Sequence, residues 1–269
     1  MNVIAPVTER MTNMSTLDDL RICLIFFTRL PLRWRGELPR ERITQAFRAA
    51  PVSGLVIGFI AWAGYALGSF VGLDPYAAGF LAVGLHLLAT GAFHEDGWAD
   101  TFDGLGGGTD RASKLEIMHD SRIGTYGAAA LVVALVLKAL LIAEISAYLD
   151  TLVALMAAAV LAKTAVVVVM RATPPASDDG QSAAAGRPAA GDVAFALGAG
   201  ALLTLVLAAV AGPVKALVVA PAAVLAAAAA AAAVATTARR QLGGQTGDVL
   251  GACAVAAELA ALCAFAALL

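Results

Sequence analysis

Apolar residues occur in this chain as long runs separated by short polar segments. An α-helix needs about 20 apolar residues to cross the hydrocarbon core of a bilayer. Seven runs approach or exceed that length, and they predict spans at about 50–72, 76–93, 124–149, 151–171, 193–211, 214–236 and 249–269. The expected fold is therefore all-α: a polytopic transmembrane helical bundle of about seven spans with short interfacial helices.

The N-terminal part of the chain precedes these spans. Residues 1–19 are mixed polar and are predicted to be a disordered tail, which leaves 20–269 as a single integral membrane domain. Residues 20–32 form an apolar run too short to span, which favours an interfacial or re-entrant helix. In the first span, Gly54 and Gly58 form a Gly-x-x-x-Gly pair, which predicts close helix packing in lipid.

Composition agrees with a membrane protein. The chain is 60% hydrophobic and 14% charged, whereas soluble domains carry about 25% charged residues. The net charge of −2 provides no basic field, so nucleic acid is not an expected partner. The lipid membrane is the expected surrounding, and the sequence is compatible with a homo-oligomer.

Basic residues alternate between the two sides of the predicted layout. Eight arginines precede residue 50, and further Arg and Lys residues lie in the polar loops 94–123, 171–192 and 239–248. The intervening turns carry only Lys215. The positive-inside rule then predicts a cytoplasmic N-terminus, three cytoplasmic loops and an outside C-terminus in a cell (inner) membrane.

The most acidic stretch, His94 to Gly104, directly follows the second apolar run. If it is helical, Asp96, Asp100 and Asp103 are spaced i, i+4 and i+7 on one face, with His94 on the opposite side. Three like charges repel one another, and a hard cation such as Mg²⁺ would remove that cost. The stretch predicts a Mg²⁺–carboxylate site; the alternative is a solvated acidic turn.

A second polar segment, Gly243-Gly244-Gln245-Thr246-Gly247-Asp248, leads into the last span. A glycine-rich loop before a helix N-terminus suits a phosphate group. The alternative is ordinary punctuation, in which Gly243 ends one helix and Asp248 caps the next.

Other ionisable residues offer weaker candidates. Asp120 could join the carboxylates and Arg122 could hold a phosphate by a two-pronged contact, although a capped amphipathic helix that ends at Gly124 is the favoured interpretation of these residues alone. Lys163 lies within a predicted span and is a candidate anion contact, with an ion pair to Glu144 as the alternative. His86 has no visible partner and is interpreted as a core histidine.

A metal–carboxylate cluster together with phosphate-binding loops favours phosphoryl transfer, in which the protein positions groups and neutralises charge.

The motifs resemble those of the adenosylcobinamide-GDP ribazoletransferases, or cobalamin synthases. His94 to Gly104 matches the family's His-x-Asp-Gly-Leu-Ala-Asp-x-x-Asp-Gly, with Trp98 in place of Leu. Glu116 to Gly127, Gly243 to Asp248, and Thr28 to Pro31 match three further family segments in the same order.

The resemblance implies that the enzyme joins adenosylcobinamide-GDP to α-ribazole, or to its 5′-phosphate, and releases GMP. It implies that Mg²⁺ is held by Asp96, Asp100 and Asp103, and that one of these or Asp120 accepts the hydroxyl proton. The implied substrate contacts are Arg29, Arg122, Lys163 (where the family usually has Arg), Gly244, Gln245, Thr246 and Asp248.

Two other functions remain open from the residues alone. A CDP-alcohol phosphotransferase also uses Asp-Gly motifs with Mg²⁺, but its Asp-Gly-x-x-Ala-Arg pattern is broken here by Asp100. A polytopic transporter would explain the intramembrane Lys138, Glu144 and Lys163, but not the shared side of the acidic and glycine-rich loops.

Overall fold

The computed structural model describes residues 15–177 and 186–269, and their regular structure is helical. The all-α prediction is confirmed. The helices are α1 Thr16–Phe27, α2 Arg40–Ala46, α3 Ala50–Phe70, α4 Pro75–Thr90, α5 Phe93–Gly107, α6 Arg111–His119, α7 Thr125–Ile145, α8 Tyr148–Ala172, α9 Ala190–Ala211, α10 Pro213–Leu242 and α11 Gly247–Leu268. A 3₁₀ turn, Phe47–Ala49, connects α2 to α3.

Six of the described helical segments are long and apolar enough to cross a membrane, and the pair α4 and α5 makes a seventh if it is counted as one span. The two helices of this pair meet at an angle of 94°. The second predicted span therefore ends at Thr90 rather than at residue 93. Gly91 and Ala92 both adopt positive φ, 68° and 55°, and this left-handed pair turns the chain.

The long helices run alternately up and down, so their ends form two layers. At one end, the Tyr65 hydroxyl donates to the carbonyl of Ser146, at 2.8 Å. At the other end, which we call the loop end, the amide of Gln245 donates to the carbonyl of Pro174, at 2.8 Å. The described residues of the polar loops that follow α4, α8 and α10 lie at the loop end.

Glycines allow α3 to pack directly on the backbone of α8. A Cβ at Gly54 would lie 2.6 Å from the amide nitrogen of Val160, and one at Gly58 would lie 2.5 Å from the Cα of Met156. The predicted Gly-x-x-x-Gly packing is confirmed.

The predicted tail 1–19 falls largely outside the described residues, but its last part is ordered. Ser15 and Asp18 form a reciprocal capping box that starts α1 at Thr16. Asp19 is fully buried, where it pairs with Arg42 and, at 2.6 Å, with Arg48. The tail was therefore predicted to extend too far, because long-range ion pairs fix this helix against α2 and the 3₁₀ turn.

Glycine is a poor helix former, yet α5 continues through Gly104 and Gly106 to its end at Gly107. Gly104 lies against α6, where an added Cβ would be 2.8 Å from the carbonyl oxygen of Lys114. Tertiary packing against α6 thus overrides the poor helix propensity of glycine.

Candidate active site

The acidic helix and the glycine-rich loop meet where α5 crosses the start of α11. A Cβ at Gly97 would lie 2.8 Å from both the Cα and the carbonyl oxygen of Asp248. Gly251, one turn further along α11, packs on the backbone of His94 in the same way, at 3.1 Å. These glycines bring two motifs that are about 150 residues apart in sequence onto one surface at the loop end.

Three carboxyl groups face this crossing. Asp96 is exposed, and Asp100 and Asp248 are half-buried. α5 lies beyond the six apolar spans, and partial burial together with the charges of Asp96, Asp248 and Asp103 raises the pKa of Asp100 to about 6. A site with this much negative charge favours a bound cation.

Asp103 lies on the same helix but has a different environment. Its buried carboxylate accepts hydrogen bonds from the backbone amides of Gly124, at 2.7 Å, and Gly127, at 2.8 Å. A Cβ at either glycine would collide with that carboxylate. Asp103 therefore caps the N-terminus of α7 from another helix, and this explains the two glycines of the Gly124-Thr125-Tyr126-Gly127 segment.

The three predicted metal ligands do not converge as a preformed trio. Among the described residues, the group of possible ligands whose donor atoms lie within 4.8 Å of one another is His86, Glu95 and Glu258. That group is already paired with a positively charged side chain, because the Lys138 ammonium lies 2.9 Å from Glu258 Oε1. At the crossing, Asp248 supplies a carboxylate that the sequence had suggested as a helix cap or a substrate contact but not as a metal ligand.

The 243–248 loop ends α10, starts α11 and packs against the loop that follows α8. Gly243 ends α10 with φ of 81°, as expected for a helix stop. Thr246, rather than Asp248, caps α11: its hydroxyl accepts from the amide of Val249, at 3.2 Å. Gly244 and Gln245 pack against residues 174–176, and the Ala176 amide donates to the Gln245 carbonyl, at 2.8 Å. Gln245 is fully buried, so its placement holds two loops together.

Arg111 also joins these loops, and sequence reasoning missed it. Its Nε donates to the carbonyl of Leu242, at 2.8 Å, and its Nη2 donates to the carbonyl of Ala176. Its acceptors are backbone atoms 131 and 65 residues away, so no local pattern could have revealed them.

Asp120 and Arg122 bind each other on the surface beyond α6. The Arg122 Nη2 lies 2.7 Å from Asp120 Oδ2, and the two side chains are exposed. Hydrogen bonds from Arg122 lower the pKa of Asp120 to about 2. The charge of Asp120 is thus neutralised by Arg122, and Asp120 is not among the groups that act on Asp100.

Lys163 does not face the acidic surface. Lys163 is 2% exposed, and its ammonium lies 3.0 Å from His94 Nδ1 and over the ring of Phe27. His94 projects away from Asp96 into the bundle, as the helical geometry predicted. Glu144 is exposed, so the ion pair considered for Lys163 is not formed.

A network of buried charges lies beside Lys163, and its partners could not be seen in the sequence. His86 Nε2 lies 3.3 Å from Glu95 Oε1, and His86 Nδ1 lies 3.9 Å from Glu258 Oε1. Together with Lys138, these side chains connect α4, α5, α7 and α11 inside the bundle.

Arg29 lies at the bend between α4 and α5. Its amide donates to the carbonyl of Ala89, at 2.7 Å, and its exposed side chain covers Gly91. It is therefore at the loop end, on the outside of the turn that leads into the acidic helix.

Comparison with known proteins identifies the family. A profile of the cobalamin-5-phosphate synthases matches residues 19–266. An adenosylcobinamide-GDP ribazoletransferase of Bradyrhizobium diazoefficiens is 43% identical over 92% of both chains. Its counterpart in Mesorhizobium japonicum is 38% identical over 91% of this chain and 92% of its own. No solved structure matches significantly. With the profile covering nearly its whole length and these motifs assembled at one end of a helical bundle, this chain belongs to the cobalamin-5-phosphate synthase family.

Proposed function

We propose that this protein transfers an adenosylcobinamide phosphate group from adenosylcobinamide-GDP to α-ribazole or its 5′-phosphate, at the crossing of α5 and α11. A ribose hydroxyl of the acceptor attacks the β-phosphorus that carries the corrinoid side chain. The bond from that phosphorus to GMP breaks, and GMP leaves with the electron pair. The products are adenosylcobalamin, or its 5′-phosphate, and GMP.

The observation that carries this proposal is the contact of Gly97 with Asp248, which places the acidic helix against the start of α11. The donor set there consists of carboxylates, which suit Mg²⁺. Asp96, Asp100 and Asp248 would hold the ion, which when bound neutralises diphosphate charge. The positive end of the α11 dipole favours a phosphate at the same place.

The remaining predicted residues take supporting positions in this proposal. The carboxylate of Asp96 or Asp100 accepts the proton of the attacking ribose hydroxyl. Asp103 positions the start of α7, and Asp120 is paired to Arg122. Arg29 is exposed at the loop end and is available to substrate phosphates, whereas Arg122 is already paired with Asp120 and Lys163 is buried against His94.

We further propose that the loop end faces the cytoplasm of a cell inner membrane. The arginines from residue 21 to residue 48 and the described residues of the loops after α4, α8 and α10 belong to this end, and the positive-inside rule predicts a cytoplasmic position for such an end. Nucleotide substrates reach the site from there.

The experiment is GMP release from proteoliposomes given adenosylcobinamide-GDP, α-ribazole 5′-phosphate and Mg²⁺. We expect release that requires all three, loss of release in Asp96→Asn, and normal release in Asp192→Asn on α9. A correctly inserted wild-type protein that releases no GMP would reject the transferase in favour of a CDP-alcohol phosphotransferase or a transporter.

A further inference from the structure

A cavity of about 400 Å³ lies beside the acidic crossing, between α1, α2, α5, α8 and α11. Its walls include four phenylalanine rings that contact one another at centroid distances of 5.0 to 5.5 Å: Phe26, Phe27, Phe47 and Phe93. Aromatic faces in this number are suited to a flat aromatic ligand, whose rings they can stack against or meet edge-on.

The cavity adjoins the candidate active site through α11. Gly247, which lines it, stands between Thr246 and Asp248, and a Cβ built on Gly247 meets no atom within 4 Å. The space beside Gly247, next to the acidic cluster, is therefore open.

The polar side chains that line the cavity are few: Arg40, Thr44 and His94. Arg40 lines it, is exposed, and makes no ion pair with any residue of the described chain. A ligand that fits has an apolar aromatic part for the phenylalanines and an anionic part for the guanidinium.

We propose that this cavity binds the benzimidazole base of the acceptor, with Arg40 contacting the 5′-phosphate when the acceptor carries one. This assignment rests on the proposed function and adds the acceptor's position to it. A corrinoid ring is too large for 400 Å³. Guanine needs several hydrogen-bonding partners along its edge, which walls built mainly from phenylalanine and aliphatic side chains do not provide. The benzimidazole is flat, bicyclic and largely apolar.

The first test fills the cavity. Gly247→Leu adds a side chain in open space, and Gly198→Leu on α9 makes the same change where a Cβ also meets no atom within 4 Å. We expect Gly247→Leu to raise the KM for α-ribazole about tenfold or more, with the KM for adenosylcobinamide-GDP unchanged. Gly198→Leu should match wild type. An unchanged acceptor KM would overturn the proposal and would leave a lipid chain as the occupant.

A second pair of variants removes an aromatic ring without filling the cavity, and it serves if Gly247→Leu does not fold. Phe93 is 47% exposed and Phe59, on α3, is 49% exposed, so each tolerates replacement by Leu. Phe93→Leu should raise the acceptor KM several-fold, and Phe59→Leu should not. Free dimethylbenzimidazole should inhibit wild type competitively with α-ribazole. Competition with adenosylcobinamide-GDP instead would contradict the assignment.

The third test separates recognition of the 5′-phosphate from recognition of the base. Arg40→Gln should raise the KM for α-ribazole 5′-phosphate and leave that for α-ribazole unchanged, whereas exposed Arg35→Gln should change neither. Equal effects of Arg40→Gln on both acceptors would overturn the Arg40 contact.

Direct binding distinguishes failure of the cavity from failure of the transferase. In equilibrium dialysis, wild-type protein that binds α-ribazole, with weaker binding in Gly247→Leu, supports the cavity even if no GMP is released. Release of GMP with undiminished α-ribazole binding in Gly247→Leu rejects the cavity alone.

Discussion

Asp96 and Asp103 belong to one sequence motif and one helix, yet their surroundings differ. Asp96 is exposed at the crossing with α11, whereas Asp103 is buried against two backbone amides of α7. Their spacing on the helix face was predictable. The division between a solvent-facing carboxylate and a capping carboxylate was not, because the amides that Asp103 accepts from lie 21 and 24 residues further along the chain.

Asp103→Asn should therefore reduce stability. The amide group of Asn presents a donor to one of the two backbone amides, and loss of a charge-assisted buried hydrogen bond costs about 1–3 kcal/mol. Thermal unfolding in detergent should show a lower midpoint for Asp103→Asn and an unchanged midpoint for Asp96→Asn. A variant Asp103→Asn with normal unfolding but altered Mg²⁺ dependence would identify Asp103 as a ligand instead.

The raised pKa of Asp100 predicts how the Mg²⁺ dependence of GMP release changes with pH. Its pKa is raised to about 6, so its carboxyl group stabilises the metal-free fold at low pH and loses that contribution as pH rises through about 6. Protons then compete with Mg²⁺ below about pH 6, and the Mg²⁺ concentration for half-maximal GMP release should rise there. Asp100→Asn should remove this pH dependence; if it persists in that variant, another group is responsible.

At the scale of elements, the contact of α3 with α8 depends on Gly54 and Gly58, which have no side chains to hold the two helices apart. Gly58→Leu would push atoms into the α8 backbone, where a Cβ is already 2.5 Å from the Cα of Met156. We expect a loss of about 3 kcal/mol or more, seen as unfolding at lower temperature or denaturant concentration. Gly84→Leu on α4 is the matched control, since nothing lies within 4 Å of its Cβ, and equal destabilisation of both variants would contradict the packing argument.

The bend between α4 and α5 is also an element-scale feature. Hydropathy predicted one continuous span up to residue 93, because the apolar run continues to Phe93. Hydropathy reports the polarity of each residue but not its backbone conformation. Gly91 and Ala92 have positive φ angles, and the chain therefore turns by 94° between α4 and α5. Without this turn, the acidic face of α5 would not lie across the start of α11.

At the scale of the whole molecule, buried charges hold the centre of the bundle. Lys138 on α7 pairs with Glu258 on α11, and His86 lies between Glu258 and Glu95. Removing one member leaves an uncompensated charge in a medium that cannot hydrate it, which costs far more than the pair itself contributes.

Lys138→Met alone should therefore destabilise the protein by about 3–5 kcal/mol. The double variant Lys138→Met with Glu258→Leu removes both charges and should recover a large part of that loss. Unfolding in detergent, measured for both variants, tests the pair. The single variant Glu258→Leu completes the comparison, and a loss in the double variant equal to the sum of the two single losses would show that the pair is not coupled.

The sequence by itself determined the number and approximate extent of the apolar helices, because crossing a bilayer demands a fixed length of apolar chain. It also placed the acidic, glycine-rich and Gly-x-x-x-Gly motifs, because their chemistry is local to a few residues. The tertiary structure decided the partners: Asp248 beside Gly97, Glu258 beside Lys138, and Arg111 on Leu242. These residues are far apart in the chain, and only the packing of helices brings together groups whose charges and hydrogen bonds then depend on one another.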